Sequence, residues 1–313
     1  MSTRSDPGSP TLVTPSLLRE WPLPAPGEDK YSRGSVLVIG GARATPGAAL
    51  LAGAAALRAG AGKLSLAVAE SVAVQVAVAL PECGAMGLPE TAGGSVTGEG
   101  LDRIGSYLDR ADAVLVGPGL DDADLATELL RGLLEREAGS GDSRPGEEGA
   151  GGGPAVVLDA FALGGLLKVA DQLEPWKGRL ILTPNPKEAA VLLERDVDDL
   201  EADVAEIADK FQAVVSCQGF IARPAGGGTE DEPRLWQITT GYGGLGTSGS
   251  GDVLAGAIAG LRARGTSHAQ AACWGTHLHA AAADRLASRM GPLGFLAREL
   301  ADELPALMLE LDT

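Results

Sequence analysis

Short, fully apolar runs alternate along this chain with alanine- and leucine-rich stretches of helical length, and the joints between them are rich in glycine. Ser35–Ile39 is a continuous run ending on Gly40-Gly41, and an Ala-rich segment from Pro46 to Ala59 precedes a second run, Lys63–Val68. Runs without polar alternation mark strands covered on both faces, so this order predicts a βαβ unit in a parallel sheet. Pro46 suits a first helical turn, where its missing N–H leaves no bond unmade. The rhythm repeats with strand Ala111–Val116 ending in Gly117-Pro118-Gly119, helix Asp121–Ala138, strand Ala155–Leu158 closing on Asp159, strand Arg179–Leu182 closing on Thr183-Pro184-Asn185, and strand Ala213–Ser216. Phe220–Thr239 reads as short antiparallel pieces. Gly241–Gly251 then leads into a helix over Asp252–Arg264, and helices Ser267–Arg289 and Gly294–Leu309 complete the chain. Residues 1–28, rich in Pro, Ser and Gly, are expected to be a flexible arm, and 139–153 a disordered surface insertion. The remainder, 29–313, reads as a single α/β domain with a mostly parallel central sheet and helices on both faces.

Composition narrows the function. Among 313 residues, 45% are hydrophobic and only 4% aromatic, while 45 are glycine, so packing must lean on Ala, Val, Leu and close backbone approach. The 42 acidic against 25 basic residues give a net charge of −17, which argues against general binding to nucleic acid or an anionic membrane. No apolar run reaches the ~18 residues that a bilayer span needs. Cys83, Cys217 and Cys273 are odd in number and far apart, and no signal-peptide pattern opens the chain; reduced thiols and a cytoplasmic location are expected.

In an open parallel sheet, ligands gather where strands end and helices begin. Five such ends carry unusual residues: Gly40-Gly41, Gly117–Gly119, Asp159, Thr183–Glu188 and Gly241–Asp252. In the last, Gly246-Thr-Ser-Gly-Ser-Gly-Asp252 offers backbone N–H groups with little side-chain obstruction where a helix opens, an anion cradle. A carboxylate there is odd as a phosphate ligand but sensible as a general base beside a hydroxyl; the plain alternative is a helix cap. Asp159 reads equally as a metal-side carboxylate or a turn residue. Asn185-x-x-Glu188 reads either as a holder of hydrated Mg²⁺ and phosphate or as a helix cap. His268, His277 and His279 fall on one Ala-rich helix at spacings unsuited to a metal pair and read as structural or solvent-facing. Cys217 reads as core.

Taken together, these residues resemble the ADP/ATP-dependent NAD(P)H-hydrate dehydratases, of the ribokinase-like fold. The resemblance rests on Lys30-Tyr-Ser-Arg-Gly34, Pro46-Gly-Ala48, Ala56–Gly62, Gly117-Pro-Gly-Leu120, Leu182-Thr-Pro-Asn-Pro-Lys-Glu188 and Gly249-Ser-Gly-Asp-Val-Leu-Ala-Gly256, and covers roughly Lys30 to Leu309. It implies a dehydratase that restores NADH or NADPH from their 6-hydroxy hydrates by phosphorylating the hydroxyl with ADP or ATP and Mg²⁺ and eliminating phosphate. Ala48, Gly119, Asn185 and Asp252 would face the substrate, with Asp252 catalytic. Gln218, Gly219, Phe220, Ile221, Ala222, Gly249, Ser250 and Gly251 would hold the nucleotide, and Glu188 would act indirectly on the metal. Self-association is common in the family, so a homo-oligomer is a further expectation. The chain departs from the family's pattern at Asn185, at Phe161 where Asp is usual, at Gln218 where Lys is usual, and across Gly241–Gly249, including Tyr242. The same features leave two rivals: a small-molecule kinase of this fold, and a nucleotide-binding homologue without catalysis.

Overall fold

The computed structural model describes residues 9–139, 152–227, 232–241 and 243–311. Tyr242, and all but the ends of the insertion expected at 139–153, lie outside these residues. In chain order the elements are β1 (Thr11–Leu12), α1 (Pro15–Glu20), β2 (Ser35–Ile39), α2 (Pro46–Arg58), β3 (Lys63–Ala69), α3 (Ala73–Ala79), β4 (Cys83–Leu88), α4 (Gly105–Leu108) and β5 (Ala113–Val116). They continue with α5 (Ala123–Gly139), β6 (Ala155–Leu158), α6 (Phe161–Leu166), β7 (Leu180–Leu182), α7 (Pro186–Leu193), α8 (Leu200–Phe211) and β8 (Val214–Cys217). The last are β9 (Phe220–Ala222), β10 (Leu235–Gln237), α9 (Ser250–Ala263), α10 (His268–Met290) and α11 (Ala297–Leu311).

The ten strands among the described residues form one sheet in the order β1-β10-β9-β8-β7-β6-β5-β2-β3-β4. Every pairing is parallel except those of β9, which runs antiparallel to β8 and β10. The fully apolar strands carry helices on both faces, as their lack of alternation predicts. One layer holds α2, α9, α10 and α11 and buries Ala52, Ala56, Val253, Trp274 and Leu304; the other holds α5 to α8 and buries Leu129, Leu130, Leu166 and Ile207. The chain leaves β2 toward β3 and β4 on one side, while β5 to β8 extend on the other. The sheet therefore has its topological switch between β2 and β5, where a crevice opens at the carboxyl ends of the strands.

Residues 9–27 correct the expectation of a loose arm. β1 pairs with β10 at the edge of the sheet, and α1 begins at the N-cap Thr14, whose hydroxyl accepts from the Leu17 N–H, with Pro15 in its first turn. Leu18 is fully buried, the Trp21 and Trp236 rings stack with centroids 6.2 Å apart, and Trp274 Nε1 donates to the Trp21 carbonyl at 2.9 Å. Proline and serine here build a cap for an exposed strand edge, a use that composition alone does not distinguish from a linker.

Candidate active site at the carboxyl ends of the strands

The crevice floor is backbone against backbone. The Gly41 N–H donates to the Pro118 carbonyl and the Ala42 N–H to the Gly119 carbonyl, each at 2.8 Å, which ties the ends of β2 and β5 together. A Cβ on Gly40 would lie 2.1 Å from the Pro118 oxygen, and one on Gly117 (φ +130°) would lie 1.8 Å from the Asp159 oxygen, so only glycine permits this approach. Gly119 (φ +75°) packs so closely under the start of α2 that a Cβ there would lie 3.0 Å from Ala48 Cβ. Ala48 and Gly119, far apart in sequence, thus share one wall.

α9 brings the other wall. Its N-cap is Gly249 in the left-handed conformation (φ +89°), with no side-chain cap. Above Gly246, Gly251 and Gly47 a Cβ would meet nothing within 4 Å, so open space lies over the backbone of both helix starts. Two anchors hold the loop: the Gly241 N–H donates to Asp284 Oδ2 at 2.8 Å, and Ser250 Oγ is hydrogen-bonded to the buried His279 Nε2 at 2.9 Å. Burial holds His279 neutral, down to about 4. His279 is thus structural, as its helix position predicts, but its support of the cradle depends on a contact across 29 residues of sequence that no local pattern reveals.

Asp252 lies in the first turn of α9 and caps nothing. Among the described residues it accepts no hydrogen bond, and burial alone raises its carboxyl to about 6. Asp159, at the end of β6, is pushed up to about 7, chiefly by burial and further by Glu188 and Asp252; Thr183 Oγ1 donates to its Oδ1 at 2.9 Å and opposes the rise. Burial also raises Glu188. Three carboxyl groups from three strand ends therefore face a common space, and among the described residues none is ion-paired. Asn185 and Glu188 form a full capping box on α7: Asn185 Oδ1 accepts from Lys187 and Glu188, and Glu188 Oε2 accepts from the Asn185 N–H at 2.8 Å. The cap reading of Asn185-x-x-Glu188 is thus met, and the same bonds fix where Glu188 points.

The donor set fits Mg²⁺ carried by phosphate. Among the described residues no group of three His, Cys, Asp or Glu side chains could cage an ion. Mg²⁺ does not require such a cage, because it keeps its waters and uses one or two carboxylates plus phosphate oxygens. Unpaired carboxyls held above their usual range are the groups such an ion would stabilise.

The nucleotide-side residues divide. Gln218 (φ +45°) and Gly219 (φ +87°) form the two-residue turn between β8 and β9, both left-handed as this turn requires, and sit at the same edge as the other strand ends. Phe220 is half-buried behind them. Ile221 and Ala222, expected beside the nucleotide, are instead fully buried, one in each core layer, with β9 paired on both sides. Their side chains hold the strand between the two layers. Phe161 opens α6 and is 44% exposed where the resemblance expects a carboxylate. Cys217 is buried, its thiol pushed up to about 12, as a core residue.

With this geometry in place, comparison with known proteins is specific. The family profile described as NAD(P)H-hydrate dehydratase matches residues 36–306. The ADP-dependent (S)-NAD(P)H-hydrate dehydratase of Xanthomonas campestris is 40% identical over 95% of both chains, and that of Neisseria meningitidis 35% identical over 87% of this chain and 84% of its own. The crystal structure of the ADP/ATP-dependent NAD(P)H-hydrate dehydratase of Bacillus subtilis, co-crystallised with ATP/Mg²⁺, superposes with a TM-score of 0.72 at 25% identity, covering 97% of this chain and 99% of that one. A ribokinase-like superfamily protein of Enterococcus faecalis shares the fold at a TM-score of 0.76 and 20% identity, over 99% of each chain. The chain belongs to the NAD(P)H-hydrate dehydratase family.

Proposed function

We propose that this protein dehydrates the 6-hydroxy adducts of NADH and NADPH, using ADP or ATP as phosphoryl donor, and that the crevice between β2, β5 and α9 is where it does so. The observation that carries this reading is Asp252: a half-buried carboxylate that among the described residues has no hydrogen-bond partner, raised to about 6, beside the glycine-walled opening of α9. A group with that pKa is ionised at neutral pH yet basic enough to take a proton from a hydroxyl in the transition state.

Hydroxide is a poor leaving group and phosphate a good one. The substrate hydroxyl lies against Ala48 and Gly119, and Asp252 accepts its proton as the oxygen bonds to the terminal phosphorus of the nucleotide. The bond from that phosphorus to the bridging oxygen breaks, and AMP (from ADP) or ADP (from ATP) departs with its electron pair. The C6–O bond of the resulting ester then breaks, its electron pair leaves with phosphate, a proton leaves C5, and the dihydronicotinamide double bond is restored. The N–H groups of Gly249, Ser250 and Gly251 hold phosphate at the positive end of α9, with His279 fixing the Ser250 side chain. Bound Mg²⁺ would neutralise charge developing on the transferred group. Glu188 and Asp159 would hold it, through water.

Asp252→Asn keeps shape and removes the proton acceptor. kcat with hydrated NADH and saturating ADP is expected to fall at least about a hundredfold, with adenine nucleotide affinity kept and the melting temperature within a few degrees. Because the parent group is active when ionised, kcat of the parent should rise with pH through about 6, and this limb should vanish in the variant. Full activity in Asp252→Asn would refute the mechanism. Nucleotide binding without turnover in the parent would favour a non-catalytic binder, and release of a stable phosphate ester a kinase.

A further inference from the structure

The proposed reaction does not use the opposite rim of the sheet, where the amino ends of β2 and β3 border a cavity of about 300 Å³. Lys30, Lys63 and Arg110 line it, together with Ser35, Ser65 and Glu82. In a chain of net charge −17, these three cations make no ion pair among the described residues. Lys30 Nζ and Lys63 Nζ both sit against the Tyr31 ring, 5.4 and 4.9 Å from its centroid, and Arg110 lies against Tyr107 at 5.6 Å. The aromatic faces partly offset the charges, but among the described residues neither of the two ammonium groups that share one ring is ion-paired.

Their backbone positions are fixed before any ligand arrives. Asp29 Oδ1 accepts from the Tyr31 and Ser32 N–H groups at 2.8 and 2.9 Å, which forms the turn carrying Lys30. That turn presses on the chain leading into β3: a Cβ on Gly62 would lie 1.9 Å from the Lys30 oxygen, and the Gly62 and Lys63 N–H groups donate to the Gly34 carbonyl at 2.9 and 3.1 Å. Ser35 Oγ donates to the Arg110 carbonyl at 2.6 Å, and Asp112 Oδ2 accepts from the Ser35 N–H at 2.8 Å, so the third cation is stapled to the start of β2. The Ser65 hydroxyl, half-buried on the cavity wall, has no partner among the described residues.

We propose that this cavity is a second binding site, for a small phosphorylated metabolite whose phosphomonoester lies among Lys30, Lys63 and Arg110. A guanidinium fork and two ammonium groups lining one cavity suit a dianionic phosphate, and a hydroxyl-bearing body would reach Ser65 and Glu82. The volume is at the small end for ligand sites, the size of a phosphorylated sugar rather than a dinucleotide. The site is independent of the reading given to the crevice, from which the length of the strands separates it.

The test is a titration of ribose 5-phosphate into the full chain followed by amide NMR, with ribose as the uncharged control. Saturable shifts are expected at Gly62, Lys63, Ser65 and Arg110 with the phosphate and none with ribose. In Lys63→Gln/Arg110→Gln, and separately in Lys30→Gln, Kd should rise at least about tenfold, the loss expected for a charged hydrogen bond, while melting temperature and kcat stay unchanged. Shifts confined to Gly246–Asp252, or the same Kd in parent and variants, would overturn the proposal.

Discussion

On one face of the sheet α2 and α9 meet through glycine: a Cβ on Gly256 would lie 2.0 Å from the Ala52 oxygen, and one on Gly260 2.4 Å from the Ala56 oxygen. On the other face α5 rests on the buried side chains of Leu129, Leu130, Leu133 and Leu134. Both layers bury apolar surface, and in the second Gly165 of α6 also comes close to the α5 backbone. That approach is less tight: a Cβ there would lie 3.2 Å from Thr127 Cα, against 2.0 and 2.4 Å from carbonyl oxygens in the first. The tighter contact carries the starts of α2 and α9 to the same crevice, so Ala48 and Gly249–Asp252 face each other across the strand ends. The leucine layer mainly fills volume, and its α5–α6 contact does not bring two helix starts to the crevice. One layer is therefore tuned in position and the other in amount, and damage to each should be read out differently.

Gly256→Val should break the first layer outright. Its branched side chain has no space beside the Ala52 carbonyl, so the helices must part; a loss of about 4 kcal/mol or more is expected, and whatever folds should turn over poorly. Thermal melts and steady-state assays on the same preparation check both parts. Leu130→Ala removes a fully buried side chain from the second layer, and should cost about 2–5 kcal/mol while leaving kcat/KM unchanged. If Leu130→Ala lost turnover as steeply as stability, the division between the layers would be wrong. The smallest effect is expected at the rim of the crevice. Gln218→Lys, on the exposed β8–β9 turn, should tighten ADP binding by no more than about fivefold, and less at high salt, as befits an exposed charge beside phosphate. Weaker binding would mean that this turn faces away from the nucleotide.

Much of the fold is legible because its signals are local. Apolar runs without alternation announce β2, β3, β5 and β6, and glycine at their ends announces the turns. β4 escapes because Gly84 and Gly87 interrupt a short edge strand in which only Leu88 is buried. The first 27 residues mislead for a different reason: Thr14-Pro15 is a good helix start, but the worth of so short a helix lies in Leu18 and Trp21 meeting Trp236 and Trp274, more than two hundred residues away. In the site, the glycines and Asp252 are visible as a pattern, and the Asn185–Glu188 capping box follows from spacing alone. The burial of Ile221 and Ala222 is not, because β9 lies between β8 and β10 and only the sheet order shows that it has no free edge.

Local chemistry along the chain sets which residue types stand at each strand end, where backbone can pass close to backbone, and which family those motifs resemble. Those properties belong to single residues and near neighbours: a missing Cβ, a fixed proline φ, a side chain three positions from an N–H. Tertiary structure alone decided what the residues became chemically. Asp252 reaches about 6 and Asp159 about 7 because distant segments exclude water from them. His279 is held neutral because the fold buries it, and it supports Ser250 because α10 lies beside the start of α9. Lys30 and Lys63 share a ring because Gly62 admits the Lys30 turn. Desolvation and charge proximity depend on every group within a few ångströms, whatever its place in the chain, and so are set only when the chain has folded.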